Sequence, residues 1–264
     1  MKKEIIRINV EDHKMKLIIE KPERQDDKVP GILWIHGGGY VLGMASMVDF
    51  SCGKMLGKKY GAVVVSPGYT LAFKNPYPAA LNDCYRALEY MWDNADDLGI
   101  DREKIVVGGE SAGGGLAVAV CLKARDEGKI KIAMQLPLYP MLDCNDTASS
   151  VNNHGKVWNT RRNHWGWKKY LGELYGNKDV SPYASPARAT DYSNLPPCYT
   201  FVSVGEPFFM ETVSYVKKLN AAGVYAEADV YDGDVHAFDM LQPLTAKARK
   251  ARKKLCEAYR RLMG

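Results

Sequence analysis

Six cysteines are scattered through 264 residues with no CxxC pair and no neighbouring histidine. That pattern argues against a zinc site and against a secreted disulfide framework, so Cys52, Cys84, Cys121, Cys144, Cys198 and Cys256 read as small, mostly buried thiols. Long apolar runs are missing too. The N-terminal residues Met1-Lys2-Lys3-Glu4-Ile5-Ile6-Arg7 carry charge where a signal peptide needs an uninterrupted apolar stretch, and no later segment approaches a membrane span. The expectation is a soluble, cytoplasmic protein with no membrane partner. Repeats, low-complexity tracts and flexible linkers are also absent, which points to a single domain over 1–264.

Charge is uneven but modest. The net charge of +5 comes largely from the last helix, where Lys247, Arg249, Lys250, Arg252, Lys253, Lys254, Arg260 and Arg261 cluster. No aromatic or base-reading motif accompanies them, so the run reads as a solvated helix face and no nucleic-acid partner is expected. A hydrophobic content of 46% leaves ample material for a large core.

Two short alternating stretches, 4–10 and 15–20, read as an antiparallel pair joined around Asp12-His13, and the polar segment 22–28 leads from them into the first buried strand. Apolar, β-rich runs at 31–35, 62–65, 105–107, 132–138, 199–204 and 226–230 then alternate with helical stretches, the best at 77–94, 112–127, 210–222 and 244–263. This rhythm builds a mostly parallel sheet of about eight strands covered by helices on both faces, with right-handed crossovers. The segment 144–195 breaks it: rich in Asn, Ser, Tyr and Trp, it reads as a small helical lid inserted between two strands.

The chemistry lies in two glycine motifs. His36-Gly37-Gly38-Gly39 follows the strand at 31–35, and Gly109-Glu110-Ser111-Ala112-Gly113 follows the strand at 105–107. The second has the form of a nucleophile elbow, a strained strand-to-helix turn that exposes a serine Oγ at the end of a sheet. A serine in a glycine-rich turn could instead cap a helix or belong to a phosphate loop. The phosphate reading fails because Gly114 and Gly115 stand where that loop needs its Lys and its Ser or Thr.

A serine hydroxyl attacks poorly at neutral pH without a general base. His236, in the loop after the last strand, has the right place in chain order; His13, His154 and His164 fit structural roles better. The acid that orients the histidine is expected at Glu206, after the strand at 199–204, with Asp143 as the alternative.

The sequence resembles the hormone-sensitive-lipase-like branch of the α/β-hydrolases, which includes bacterial carboxylesterases and arylacetamide deacetylase. The likeness runs from His36-Gly37-Gly38-Gly39-Tyr40-Val41-Leu42-Gly43 through Tyr69-Thr70-Leu71-Ala72, Pro76-Tyr77-Pro78-Ala79-Ala80 and Gly109-Glu110-Ser111-Ala112-Gly113-Gly114. It continues through Ser185-Pro186 and Leu195-Pro196-Pro197 to Tyr231-Asp232-Gly233 before His236. It implies an α/β-hydrolase fold and an oxyanion hole made by the N–H groups of Gly38, Gly39 and Ala112, with His36 bracing the glycine loop. The chain departs from the pattern at Glu110 and Glu206, each in place of a usual Asp, and at Phe73-Lys74, where Pro-Glu is common. It also lacks the N-terminal cap helices of many relatives, implying a reduced cap and a more open site.

The activity expected is hydrolysis of small, short-acyl-chain carboxylic esters through an acyl-serine intermediate on Ser111, His236 and Glu206, without metal or cofactor. Alternatives on the same machinery are deacetylation of acetylated sugars or aryl amides, or cleavage of small peptides; a non-catalytic ligand receptor is the alternative from another class. Tyr40 and Leu42, beside the glycine loop, are expected to touch substrate. Trp158, Trp165 and Trp167 read either as pocket walls or as aromatic glue between lid and sheet, the second being preferred. No motif marks an oligomer surface, and a homodimer is the association allowed for.

Overall fold

A computed structural model describes residues 1–25 and 27–264; Asp26, within the polar segment that precedes the first buried strand, lies outside the described residues. Eight strands form one sheet: β1 (Lys2–Val10), β2 (His13–Lys21), β3 (Val29–Ile35), β4 (Val63–Pro67), β5 (Ile100–Glu110), β6 (Met134–Leu138), β7 (Cys198–Ser203) and β8 (Ala226–Tyr231). Their order is β1-β2-β4-β3-β5-β6-β7-β8. β1 and β2 pair antiparallel, β2 joins β4 antiparallel, and every later pairing is parallel.

The parallel strands are apolar at nearly every position because both sheet faces are covered. In β3, Leu33 and Ile35 enter the core on one face while Ile32 and Trp34 enter the core on the other. Helices α1 (Cys52–Tyr60), α2 (Ala79–Asp93), α4 (Ala112–Glu127), α6 (Phe209–Ala221) and α8 (Ala246–Met263) supply the cover, with the short α3 (Ala95–Leu98) and α7 (Phe238–Leu241) between them. α4 is buried on almost every side, against β3, β5, β6 and α2, so it shows no amphipathic stripe.

Most anticipated elements fall within a few residues of the observed ones. The antiparallel pair, the six later strands and the four long helices are all present. Helix α1 is an addition. Its sequence, Cys-Gly-Lys-Met-Leu-Gly-Lys-Lys-Tyr, carries two helix-weakening glycines. Packing supplies the reason: a Cβ on Gly53 would stand 2.4 Å from the Trp34 indole, so only glycine lets this helix lie so close to β3.

The segment 144–195 lies between β6 and β7 and holds one full helix, α5 (Thr160–Leu171), with 3-10 turns at Gly172–Leu174 and Pro186–Arg188. Aromatic rings attach it to the body. Tyr170 stacks on Tyr40 with centroids 3.9 Å apart and meets Tyr77 edge to face at 5.9 Å, and Trp167 packs against Tyr40 at 5.3 Å. Tyr170→Ala removes a fully buried ring from this stack and is expected to cost about 3 kcal/mol in urea unfolding. Limited proteolysis of that variant is expected to cut within 144–195 before it cuts the sheet.

Candidate active site

Parallel strands that end on the same side of a sheet bring their following loops together, and ligands of open α/β sheets bind there. The glycine loop follows β3, Ser111 follows β5, Glu206 follows β7 and His236 follows β8. The elbow itself is built by β6. Ser111 has φ 57° and ψ −121°, a conformation that costs an L-residue roughly 1–3 kcal/mol unless its surroundings hold it. Its N–H donates to Leu138 O at 3.0 Å, and its carbonyl accepts the N–H groups of Met141 and Gly115, both at 3.0 Å.

The glycine loop closes against that elbow. A Cβ on Gly37 would stand 2.9 Å from Glu110 O and 3.3 Å from Ser111 Cβ, so the two motifs touch through bare backbone. Gly38 (φ 119°) and Gly39 (φ 60°) turn the chain through conformations that side chains disfavour. Among the described turn and loop bonds, none uses the N–H of Gly38, Gly39 or Ala112. His36 fixes the loop from beneath. Its Nδ1–H donates to Gly37 O at 2.8 Å and its ring stacks on Tyr69 at 4.2 Å. Burial lowers its pKa to about 4, outweighing the Gly37 bond, so it is a neutral brace at neutral pH.

Three side chains form a continuous hydrogen-bonded line. Ser111 Oγ lies 2.8 Å from His236 Nε2, and His236 Nδ1 makes a short bond to Glu206 Oε2. An ionised Glu206 can only accept, so Nδ1 carries the proton and Nε2 is left to accept the serine hydroxyl. Glu206 is fully buried and its other oxygen accepts the Ser203 N–H at 2.9 Å, which fixes the carboxylate without a second charge. The alternative acid stands elsewhere: the Asp143 carboxylate accepts the Asn145 N–H at 3.0 Å, and the Asp143 N–H is taken by Glu211 at 2.5 Å. The line can move a proton from a serine hydroxyl to an imidazole that a carboxylate orients and stabilises.

Ser111 and His236 open into a cavity of about 190 Å³ that is also lined by Gly37, Gly38, Gly39, Met47, Glu110, Tyr139, Val157, Trp158, Met240 and Leu241. Two expected contacts need correction. Tyr40 does not reach the cavity: it is 1% exposed, lies under Tyr170 and donates its hydroxyl to Met141 O at 3.0 Å. Leu42 is exposed and is not among the residues that line the cavity. The tryptophans divide. Trp158 is a wall, with its ring against Gly39; Trp167 is buried glue; Trp165 is exposed.

Glu110 went unassigned in the sequence beyond its replacement of an Asp. It is buried, accepts the Trp34 indole N–H at 2.8 Å, and is pushed up to about 8 by burial and then by the nearby Asp239 charge. Between its ordinary value of 4.5 and about 8 the folded protein holds a proton that the unfolded chain has lost, so this group's contribution to stability falls as pH rises through that window. Glu110→Gln keeps an acceptor for Trp34 and has no such proton. Urea unfolding is expected to show the variant gaining on the parent by a few kcal/mol as pH rises from about 5 to about 9.

The comparisons with known proteins agree with this architecture. A family model described as the α/β-hydrolase fold matches residues 32–240. The chain is 32% identical over 237 residues to an arylesterase of Saccharolobus solfataricus, a match covering 88% of this chain and 76% of that one. Among solved structures it superposes on one titled bacterial heroin esterase with a TM-score of 0.95 at 36% identity, covering 100% of this chain and 84% of the other. An esterase of Pyrobaculum calidifontis follows with a TM-score of 0.90 at 33% identity, covering 98% and 84%. With its glycine loop, its elbow and the sheet that carries them, the chain belongs to the α/β-hydrolase family, in the hormone-sensitive-lipase-like branch.

Proposed function

We propose that the protein is a serine carboxylesterase in which Ser111 is the nucleophile, His236 the general base and Glu206 the orienting acid. The observation that carries this reading is the unbroken line from Ser111 Oγ through both imidazole nitrogens to Glu206, facing a largely apolar cavity beside the glycine loop. Ser111 Oγ attacks the ester carbonyl while its proton passes to His236 Nε2. The carbonyl oxygen becomes an oxyanion, held by the N–H groups of Gly38, Gly39 and Ala112. The imidazolium then protonates the leaving alcohol, giving an acyl-serine. Water, deprotonated by His236, attacks that ester, and the imidazolium returns the proton to Ser111 Oγ as the acid leaves. His36, which lies in the bracing position and is kept neutral by burial, carries no proton in these steps.

The substrate class follows from the walls. A cavity of about 190 Å³ holds a small acyl group, and Met47, Val157, Met240 and Leu241 offer it no charge. Trp158 presents an aromatic surface suited to the alcohol half of an aryl ester. Relatives named as an arylesterase and a heroin esterase support esters of this kind.

Ser111→Ala and His236→Ala are each expected to lower kcat for a nitrophenyl ester by at least about a thousandfold with the fold intact. Turnover within about tenfold of the parent in either variant would refute the assignment. In a chain-length series kcat/KM is expected to peak between acetyl and hexanoyl and to fall for longer acids. A maximum at long chains would overturn the cavity argument.

A further inference from the structure

One buried acid beside the Ser111–His236–Glu206 line takes no part in its bonds, yet it is tied to the imidazole. Asp239 stands three residues after His236, in α7, and is fully buried. Its Oδ1 accepts the Tyr139 hydroxyl at 2.8 Å, and its Oδ2 accepts the Cys52 thiol at 3.5 Å. Its main-chain oxygen accepts a guanidinium N–H of Arg252 in α8. Tyr139, directly after β6, meets the His236 ring edge to face at 5.1 Å and 80°, and Phe208 makes a second contact of the same kind at 5.1 Å and 78°.

Relaying a proton asks more of an imidazole than the right tautomer. Nε2 must point at the nucleophile, so the ring plane has to be fixed as well. Glu206 holds one nitrogen but leaves rotation about that bond to the ring's neighbours. Tyr139 is the neighbour best placed to resist it, because it emerges from the strand whose last residue, Leu138, accepts the Ser111 N–H. The Asp239–Tyr139 bond therefore clamps the short His236 loop to the same strand end that supports the elbow.

We propose that Asp239 is a positioning residue for the imidazole: by anchoring the Tyr139 hydroxyl it holds the His236 loop and ring plane in register with Ser111. The inference rests on the reading of Ser111 and His236 as nucleophile and base. The charged and titratable groups around Asp239 suit the task. Burial raises its pKa, while the Tyr139 hydroxyl, the Cys52 thiol and the Arg252 charge all favour its anion. The Asp239 charge in turn adds to the burial that raises the Glu110 pKa.

The test uses Asp239→Ala, Tyr139→Phe, the double variant and Asp239→Asn, with nitrophenyl acetate turnover and the rate of fluorophosphonate labelling as readouts and circular dichroism as the check on folding. Each single truncation is expected to lower kcat on the order of tenfold while KM stays within about twofold, and labelling is expected to slow in parallel. The double variant is expected to be no worse than Asp239→Ala, since both changes break one bond. Asp239→Asn, whose amide oxygen still accepts the Tyr139 hydroxyl, is expected to recover most of kcat. Should Asp239→Ala fail to fold, Tyr139→Phe, which removes a single oxygen, carries the test. Folded variants with the parent's kcat, a loss confined to KM, additive losses, or an Asn variant as impaired as Ala would each overturn the proposal. Ser111→Ala run alongside separates the two readings. If it keeps turnover, the nucleophile assignment falls; if it is dead while the Asp239 and Tyr139 variants match the parent, the positioning role alone falls.

Discussion

Ser111 occupies a backbone conformation that an L-residue avoids, and the site depends on the hydrogen bonds that hold it there. Leu138 O takes its N–H, while Met141 and Gly115 share its carbonyl. Those partners come from the end of β6 and the first turn of α4, so the elbow is locked between a strand and the helix it begins. Helix formation after the serine and sheet pairing before it both favour the same strained turn. Neither could relax it without unpairing backbone inside the core.

Around that turn the carboxyl groups of Glu110, Glu206 and Asp239 are all buried. The imidazole of His236 has one carboxylate partner, and that carboxylate is satisfied by a backbone N–H instead of by a cation. His36 is neutral because burial disfavours its charged form, and Glu110 is held up near 8 for the same reason. Three backbone N–H groups, those of Gly38, Gly39 and Ala112, stand in these surroundings with no partner among the described turn and loop bonds. This is the setting in which amide donors are most effective.

Much of the architecture was legible from residue order. The antiparallel entry, the alternation of strands with helices and the insertion before β7 follow from apolar periodicity and its interruption at 144–195. Ser111, His236 and Glu206 could each be named because loops after parallel strands converge at one sheet edge whatever their spacing in sequence. Between Glu206 and Asp143 the sequence favoured Glu206, which follows the strand at 199–204. In the fold Glu206 reaches His236, whereas Asp143 belongs to a loop tied down by Glu211. Helix α1 was illegible because glycines that weaken a helix in isolation are what its packing on Trp34 requires.

The reading of contacts beside the glycine loop failed for a related reason. Adjacency in sequence places Tyr40 and Leu42 near the site, but the turn at Gly38–Leu42 reverses direction within a few residues, sending one side chain into the core and the other to solvent. The walls come instead from Met47, Val157, Trp158, Met240 and Leu241, which no motif links. Sequence alone therefore determined the fold class and pointed to Ser111, His236 and Glu206 as candidates, because periodicity and glycine motifs are local properties of the chain. Which tryptophan faces the cavity and how Asp239 reaches the imidazole through Tyr139 were decided only by tertiary structure. Those relations join residues far apart in the chain, such as Tyr139 and Asp239, 100 positions apart, and only the packed fold brings them into contact.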